Sequence, residues 1–526
     1  MQLKPKYDVI ILGAGHNGLV AASYLGRAGL SVLLLEKNDY VGGATTSQRL
    51  FSDYDARLSR YAYLVSLLPQ KIIRDLGLSL ELRRRAIASY TPYVSHGQHG
   101  ALVLSNLDEN VSRKSIVDLT GSDAEFERLK KFYNLARVFA EHVWDSMLEP
   151  LVAKGEMARR FDVDEISREA WRSLIEQPLG NAIERYLQND LVRGLVFTDA
   201  KIGVFTYSHD PSLVQNRCFL YHLIGNKTGE WKVPVGGMGA VSSELERAAR
   251  KAGAEILTNV DVHAVNVGGK ERSVEFRVDG KRETVDTRFL LVNFGRNVLA
   301  RFTGRFFQPD RTDEGSVFKI NMLLRRLPKL KAKKYPPTEA FCGTFHSDEG
   351  YEQMNGSYDQ ASGGRLPQKT PCEMYCHTLT DRSILAPDLQ KEGFHTMTLF
   401  GLDAPWGLFA RDNENMRREA EKNFLASVNQ WLEEPIEDCL AVARDGRPCI
   451  ESKSPVDIED ALGMYHGNIF HNAPTFPFAE RKQQVGTWGV ETEYENVFFC
   501  GSSALRGGAV SGIPGHNAAM KVLASV

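Results

Sequence analysis

The sequence predicts an α/β protein, and three observations near its start support this class. The apolar run Val9 to Leu12 has the pattern of a short strand that is buried on both faces. A glycine-rich turn follows it directly, and Leu19 to Ala28 then read as a helix. A second apolar strand, Ser31 to Leu35, ends at Glu36. This strand–helix–strand order predicts a Rossmann-type domain built on a parallel sheet.

The turn and the carboxylate after the second strand predict a dinucleotide site. Gly13 allows the tight turn, Gly15 lets a pyrophosphate approach the backbone, and Gly18 lets the helix pack on the strand. The helix N-terminus offers free N–H groups and a positive dipole end to phosphate. A carboxylate at Glu36 can accept both ribose hydroxyls of an adenosine. The candidate cofactor-binding residues of this unit are Gly13, Gly15, Asn17, Gly18, Glu36 and Lys37.

A glycine doublet just past the carboxylate narrows the choice of dinucleotide to FAD. Val41 to Thr46 resembles the FAD-binding signature of the amine oxidase and phytoene desaturase superfamily. In that superfamily the doublet passes close to the phosphates and the flavin ring. The resemblance adds Gly42, Gly43, Ala44 and Thr45 to the candidate residues.

The C-terminal part of the chain returns to the cofactor, so the FAD-binding domain is predicted to be discontinuous. A buried strand, Phe289 to Val292, leads to Asn293, and a last strand, Asn496 to Cys500, precedes a second glycine-rich helix start. That helix start is expected to face the flavin pyrimidine, where reduction places negative charge. We predict a glutathione reductase-like FAD-binding domain over residues 1–76, 230–320 and 488–526. Residues 77–229 and 321–487 would form an α+β substrate domain that contains a helical block, including a long helical stretch over residues 163–196.

Three separated stretches resemble bacterial-type phytoene desaturases: the N-terminal fingerprint, the turn at residues 234–239 and the C-terminal glycine-rich segment. Ser59 to Leu68 and His466 to His471 resemble the phytoene dehydrogenase-related group, which includes pyridine nucleotide-disulfide oxidoreductase domain-containing protein 2. The resemblance implies that the backbone of Val262 contacts adenine. It further implies closure over the diphosphate and isoalloxazine by Gly501, Ser502, Gly512, Ile513 and Pro514.

Composition and missing motifs exclude several other classes of protein. The 526 residues carry a formal net charge of −2, which argues against a nucleic-acid partner. The seven cysteines include no C-x-x-C pair, which argues against a dithiol–disulfide reductase. The fingerprint occurs once, which argues against a pyridine-nucleotide partner, and no metal site is expected because H-E-x-x-H and H-x-x-x-H spacings are missing.

The expected location is the cytoplasm. The chain has no 18-residue apolar run, and the cofactor strand begins too early for a signal peptide. Four lysines between residues 329 and 334 read as a solvated loop, with peripheral contact to a membrane surface as the alternative. Homo-oligomerisation stays open.

Two residues are predicted to assist catalysis. The segment from Glu314 to Asn321 resembles the amine oxidase strand whose lysine is hydrogen-bonded through water to flavin N5, which makes Lys319 the candidate. His516 is the best candidate among the histidines because it lies beside the flavin-facing helix start. The weaker histidine candidates are His209, His377, His466 and His471. The aromatic residues that could line an apolar cavity are Tyr61, Tyr63, Tyr207, Phe470, Phe476 and Phe478.

The predicted function is an FAD-dependent dehydrogenase or desaturase. Hydride would pass from a C–H bond of an apolar or amphipathic small molecule to flavin N5, and oxygen or a quinone would reoxidise the flavin. Three alternatives remain: an amine oxidase that forms an imine and hydrogen peroxide, a redox-neutral double-bond isomerase, and a flavin-bound scaffold without catalysis.

Overall fold

The computed structural model describes residues 3–268 and 272–526. Its strands are β1 Lys6–Leu12, β2 Val32–Leu35, β3 Ser47–Gln48, β4 Leu58–Ser59, β5 Leu82–Arg83, β6 Ile87–Ser95, β7 Gln98–Ser105, β8 Val233–Pro234, β9 Glu255–Leu257, β10 Asp261–Asn266, β11 Arg272–Val278, β12 Lys281–Val292, β13 Phe318–Leu324, β14 Thr344–Ser347, β15 Cys372–Tyr375, β16 His395–Gly401, β17 Ile450–Lys453 and β18 Val497–Phe499. Its α-helices are α1 His16–Arg27, α2 Gln70–Leu76, α3 Glu109–Thr120, α4 Ala124–Val143, α5 Lys154–Arg160, α6 Glu165–Trp171, α7 Leu179–Tyr186, α8 Asp190–Phe197, α9 Val214–Leu223, α10 Met238–Lys251, α11 Arg296–Phe302, α12 Pro337–Ala340, α13 Tyr351–Ser362, α14 Pro387–Lys391, α15 Trp406–Phe409, α16 Asn413–Asn429, α17 Pro455–Leu462 and α18 Ile513–Leu523.

The first sheet brings together strands from three distant parts of the chain. Strands β9, β2, β1 and β12 pair in parallel, and the end of β12 also pairs in parallel with β18. The first half of β12 pairs instead with the antiparallel excursion β10–β11. Leu12 lies opposite both Leu35 and Val292. The carboxyl ends of these strands therefore meet at one edge, where open α/β sheets bind their ligands.

Continuous apolar strands explain why this sheet is central. All four residues of β2 are buried, as are the last four of β1 and of β12. Helices α10 and α18 both pack against α1, and their apolar residues complete one core with the sheet. The predicted discontinuous Rossmann-type α/β class is confirmed. The exact limits given for the two domains stay a prediction.

The rest of the chain forms a second sheet and a helical block. The second sheet has the order β17–β13–β16–β15–β14–β6–β7 and is antiparallel except between β14 and β6. Helices α3 to α9 form the block, with a core of aromatic and aliphatic residues around Phe132, Phe139 and Phe219. The two parts lie against each other and enclose the inner end of the cavity described below.

Two helix predictions need correction. The predicted helical stretch over residues 163–196 is helical but divided into three α-helices, α6 to α8, with one π-helical turn at Arg172–Glu176. Pro178 cannot donate a backbone hydrogen bond and keeps the preceding Gln177 extended, which ends the helix there. Asn189 then caps α8 by accepting from the N–H groups of Leu191 and Val192. Helix α1 begins at His16, three residues earlier than predicted, so the turn itself opens the helix.

Two surface features bear on the predicted membrane contact. Among the described helices none combines the length and apolarity needed to cross a bilayer. Two of the four lysines form ion pairs, Lys333 with Glu433 and Lys334 with Asp118, and Lys331 donates to the carbonyl of Gln430. These pairings favour the solvated-loop interpretation of the cluster.

Candidate active site

A single cavity of about 630 Å³ begins at the carboxyl edge of the parallel sheet and ends between the second sheet and the helical block. Its volume lies in the range of small-molecule sites in proteins. The outer end is walled by the glycine turn and the ends of β1, β2 and β12, and the inner end by side chains of both other parts. The two ends differ in how they are built.

The glycine turn at the outer end is held by side-chain and backbone contacts that leave no room for a Cβ at Gly18. A Cβ on Gly18 would lie 2.5 Å from the carbonyl oxygen of Gly13 and 2.8 Å from Asn293 Nδ2. Asn293 Nδ2 donates to that same carbonyl at 2.9 Å, so the residue after β12 fixes the turn after β1. Gly18 is therefore required by packing, as the motif predicts.

Glu36 lines the cavity at the end of β2 and is buried. Its Oε2 accepts from the N–H of Ala14 at 2.8 Å, and its Oε1 accepts from both nitrogens of Asn38. The carboxylate thus bridges the glycine turn and the segment after β2. This position, beside the turn and facing the cavity, is the one that a ribose-binding carboxylate requires.

The glycine doublet closes against the same turn. Gly42 has φ +110°, and a Cβ there would lie 2.5 Å from the carbonyl oxygen of Thr45. Its N–H donates to the carbonyl of Ala14 at 2.8 Å. Thr45 Oγ1 lies 3.0 Å from Nδ1 of His16, a cavity-lining residue whose pKa burial lowers to about 4. A neutral imidazole therefore sits at the start of α1.

The structure brings most of the predicted cofactor residues to one wall. Those that line the cavity are Gly13, Gly15, Asn17, Glu36, Lys37, Gly42, Gly43, Ala44, Thr45, Val262, Asn293 and Ser502. Those that lie behind the wall are Gly18, Gly501, Gly512, Ile513 and Pro514. Gly501 and Gly18 both pack against Asn293, so they shape the wall without facing the cavity.

The C-terminal helix starts behind α1 and does not face the cavity. A Cβ on Gly515 would lie 2.1 Å from the carbonyl oxygen of Asn17, which shows how closely α18 packs on α1. The preceding residues Ala509 and Val510 line the cavity instead. The sequence analysis missed them because it placed the contact at the helix start marked by Pro514, which lies four residues after Val510.

His516 does not line the cavity, contrary to the geometry expected for it. Its ring is buried and packs edge-on against Tyr24, with centroids 5.1 Å apart, and its Nδ1 lies 3.0 Å from Asn517 Oδ1. Trp488 covers another side. This surrounding favours a structural role for His516.

Lys319 lies where the outer and inner ends of the cavity meet. It is carried by β13, is 2% exposed, and lines the cavity. Its Nζ donates to the carbonyl of Tyr61 and lies 4.9 Å and 4.6 Å from the ring centroids of Tyr63 and Phe400. Burial lowers the pKa of this amine well below its ordinary value. The lysine is thus a buried amine that faces the cavity, and its catalytic role stays a prediction.

Only some of the weaker histidine and aromatic candidates line the cavity. Among the four weaker histidine candidates only His471 lines the cavity, and its pKa is lowered to about 4 by burial. His209 pairs with Glu184, His377 with Asp381, and His466 stacks on Trp406. Among the aromatic candidates Tyr61, Tyr63 and Phe470 line the cavity, whereas Tyr207, Phe476 and Phe478 pack elsewhere.

The inner end contains a polar cluster that sequence reasoning missed. Glu373 is buried on β15, and its Oε1 accepts from the hydroxyls of Tyr63 at 2.9 Å and Tyr375 at 2.8 Å. Burial is the main cause that raises the pKa of Glu373 to about 7. Burial likewise raises the pKa of Asp199, which lines the same end, to about 7. Both carboxyls can hold or release a proton near neutral pH.

The same cluster contains two cationic groups. His346 pairs with Glu349, and although burial opposes it, the Glu349 carboxylate raises the pKa of this histidine above its ordinary value. Arg85, from the segment between β5 and β6, donates to Thr344 Oγ1 at 3.1 Å. These residues come from four separate stretches with no shared motif, so no local signal could have identified them.

The fold and the cavity define a class of protein, namely a dinucleotide-binding protein with a second chamber for a small molecule. Comparisons with known proteins agree. The family model described as flavin containing amine oxidoreductase matches residues 18–358. An uncharacterized protein of Mycobacterium tuberculosis is 44% identical over 525 residues, covering 98% of this chain and 97% of that protein.

More distant relatives cover the whole length as well. Pyridine nucleotide-disulfide oxidoreductase domain-containing protein 2 of Rattus norvegicus is 28% identical, with 98% and 93% of the two chains covered. A limonene dehydrogenase polypeptide of Castellaniella defragrans is 24% identical, with 98% and 94% covered. The solved structure of putrescine oxidase bound to putrescine matches with a TM-score of 0.55 at 18% identity and 99% coverage of each chain, which supports the fold.

The protein is therefore an FAD-dependent oxidoreductase. The chain belongs to the flavin containing amine oxidoreductase family. The predicted resemblance, the flavin cofactor and the enzyme class are confirmed.

Proposed function

We propose that the protein is a dehydrogenase or desaturase that removes hydride from a C–H bond of an apolar or amphipathic small molecule. The observation that carries this proposal is the continuity of the cavity, which joins a dinucleotide-type wall to a separate inner chamber. A substrate in that chamber can reach a cofactor on the wall without passing through solvent. Oxygen or a quinone would be the final electron acceptor.

The residues at the outer end fit FAD. The start of α1 offers backbone N–H groups beside Gly15, a donor set suited to a diphosphate. Buried Asn17 Oδ1 has no hydrogen-bond partner among the described residues, so it is available to a ligand. Glu36 would hold the ribose, Val262 would contact the adenine, and the Gly42–Gly43 doublet would follow the diphosphate. When bound, the flavin supplies hydride acceptance at N5.

The inner chamber supplies the environment for an organic substrate. Its apolar wall includes Leu64, Leu104, Leu195, Ile202, Val317 and Phe400. Such a wall excludes water and orients an apolar chain beside the cofactor. The name of the relative from Castellaniella defragrans, a limonene dehydrogenase, describes dehydrogenation of a hydrocarbon, which supports a C–H substrate for this chain.

A second candidate is an amine oxidase that produces an imine and hydrogen peroxide. Lys319 favours it, because a buried amine with a lowered pKa can hold or move a proton beside the cofactor wall during reaction with oxygen. Tyr63 and Phe400, both close to Lys319, give that region an aromatic surface. Relatives that are named oxidases, such as putrescine oxidase, share the fold.

The test uses the purified full-length chain loaded with FAD and studied without oxygen. We expect the visible bands of oxidised flavin, bleaching on photoreduction, and return of the bands when oxygen or menadione is added. Faster return with menadione than with oxygen supports the dehydrogenase. Bleaching by putrescine but not by limonene, followed by peroxide release in air, supports the amine oxidase instead. A protein that retains no flavin after incubation with FAD contradicts both.

A further inference from the structure

Arg85 is a buried arginine that forms no ion pair among the described residues, although its charge interacts with that of the Asp199 carboxyl. It is 8% exposed and lines the inner end of the cavity. Among residues 3–268 and 272–526, no carboxylate oxygen lies within 4.0 Å of its guanidinium nitrogens. Its Nη1 donates to the Thr344 hydroxyl at 3.1 Å, and its buried Nε has no hydrogen-bond partner in the same part of the chain. A buried guanidinium with so few partners lowers the stability of the folded protein, because burial removes hydration that only a hydrogen-bonding or charged partner can replace.

A second buried arginine, Arg506, also has an Nε without a hydrogen-bond partner among the described residues, but the fold satisfies both of its terminal nitrogens. Arg506 is 3% exposed and outside the cavity. Its Nη1 donates to the carbonyls of Ser146 and Glu149, both at 2.8 Å, and its Nη2 donates to the carbonyl of Trp488 at 3.0 Å. Arg85 makes one bond to a neutral hydroxyl where Arg506 makes three to carbonyls. The unused donors of Arg85 adjoin a cavity, which is where a ligand can meet them.

We infer that Arg85 forms a carboxylate-binding subsite and that the substrate is an amphipathic carboxylic acid. The guanidinium presents a planar set of N–H donors that matches the two oxygens of a carboxylate. Tyr375 supports its plane, with the guanidinium carbon 5.4 Å from the ring centroid. The apolar wall of the inner chamber would hold the hydrocarbon part. Naming this ligand as the substrate rests on the proposed function, whereas its binding does not.

The neighbouring charges decide which kind of ligand head group is accepted. The carboxyl-bearing residues Asp199 and Glu373 line the same cavity as Arg85, together with His346, Tyr63, Tyr133 and Tyr375. Glu349 is paired with His346. Arginine stays protonated at all relevant pH values, whereas Asp199 and Glu373 can become neutral by taking up a proton near pH 7. Because His346 is paired with Glu349, the Arg85 guanidinium is the cationic group left to favour an anionic head group.

The same cluster gives the subsite a pH dependence of known sign. At low pH, Asp199 and Glu373 are protonated and can donate hydrogen bonds to a bound carboxylate. As pH rises through about 7, both become anionic and repel it. Carboxylate affinity should therefore fall as pH rises from 6 to 8.5, the window in which these two groups titrate.

Calorimetry on the FAD-loaded full-length protein tests the inference with three probes of equal chain length: decanoate, decan-1-ol and decylammonium. We expect decanoate to bind roughly 10- to 100-fold more tightly than either of the others at pH 6.5, as a charge-assisted contact predicts. Arg85→Gln should remove that preference, and Arg85→Lys should keep part of it. Arg83→Gln is the matched control, because Arg83 is an exposed neighbour paired with Glu81.

Several outcomes would overturn the inference. Tighter binding of decylammonium, equal binding of the three probes, or undiminished decanoate binding by folded Arg85→Gln would each do so. If Arg85→Gln does not fold, the head-group preference and its pH dependence in the unmodified protein decide. The flavin spectrum of the same samples separates the two proposals: normal flavin reduction without carboxylate preference removes only the inference, and carboxylate binding without flavin removes only the proposed function.

Discussion

The two ends of the cavity are built in opposite ways. The outer end is made from backbone and short motifs: a turn of three glycines, a glycine doublet and one carboxylate after a strand. The inner end is made from long side chains that meet from distant segments, with Arg85, Asp199, His346 and Glu373 lying on four different elements. Backbone geometry binds a fixed cofactor, whereas side chains can be exchanged one at a time. The inner end is therefore where substrate choice can change without loss of the cofactor.

The two ends also differ in electrostatics. At the outer end, Glu36 is held by three hydrogen bonds, and burial keeps His16 neutral with a pKa of about 4. At the inner end, two carboxyls have pKa values of about 7. His16 at the outer end thus stays neutral across the physiological range, whereas the two carboxyls at the inner end titrate within it.

The largest effect is expected from a substitution that alters only the outer end of the cavity. Gly18→Ala would place a Cβ 2.5 Å from the Gly13 carbonyl oxygen, so the turn or α1 must move. We expect FAD affinity to fall by at least roughly 100-fold, because a misplaced turn loses its close approach to the diphosphate. Titration of the apoprotein with FAD, followed by flavin fluorescence, measures this loss.

Gly155→Ala serves as the control, since that glycine lies on the exposed helix α5 with open space around its Cβ position. It should bind FAD like the unmodified chain, and circular dichroism should show that both variants are folded. Unchanged FAD affinity in Gly18→Ala would contradict the assignment of this wall to the cofactor.

The same contrast explains what the sequence could predict. Gly13 to Gly18, Glu36 and the Gly42–Gly43 doublet act within some thirty residues, so their pattern is visible in one dimension. The segment that resembles a known lysine-bearing strand likewise led to Lys319, which the structure places on the cavity wall. Arg85 and Glu373 carry no pattern, because only the pairing of β14 with β6 and β15 brings their segments together.

The misplaced expectations have the same physical origin. Pro514 correctly marks a helix start, yet whether that start faces the cavity depends on how α18 packs against α1. The prediction for His516 assumed that the start of α18 faces the cavity, but the His516 ring is enclosed by Tyr24 and Trp488. Local signals locate an element, and long-range packing decides which of its faces reaches the site.

An intermediate effect is expected where the two ends meet. Lys319→Met keeps an unbranched side chain of similar length and removes the amine beside the cofactor wall. We expect reoxidation of reduced flavin by oxygen to slow by about 10- to 100-fold, while the rate of photoreduction changes little, because the amine assists only the reaction with oxygen. Stopped-flow mixing of photoreduced protein with oxygenated buffer measures the rate.

Lys453→Met is the matched control for this change. Lys453 lies directly opposite Lys319 on the paired strand β17 and does not line the cavity. Its variant should reoxidise at the unmodified rate. Equal slowing in both variants would assign the effect to the sheet rather than to the Lys319 amine, and no slowing in either would remove the proposed role.

The smallest expected effect is on the free energy of unfolding, and it comes from the carboxyls at the inner end of the cavity. Burial raises the pKa of Glu373 from 4.5 to about 7, so between these values the folded chain binds more protons than the unfolded chain. The free energy of unfolding should therefore fall as pH rises through this window, and Asp199 adds to the fall with the same sign. Glu373→Gln cannot titrate and should flatten the decline by about 1–2 kcal/mol in urea unfolding between pH 5 and 7.5.

Glu434→Gln separates this effect from a general loss of charge. Arg326 lowers the pKa of the Glu434 carboxyl, so its contribution to stability is lost only when pH falls below the ordinary carboxyl range. Its variant should keep the unmodified decline above pH 5. If Glu373→Gln also keeps that decline, Glu373 is ionised throughout the window, and the inner end does not change its charge near neutral pH. The two ends of the cavity would then differ only in whether backbone or side chains form them. The pH dependence of carboxylate binding would have to come from Asp199.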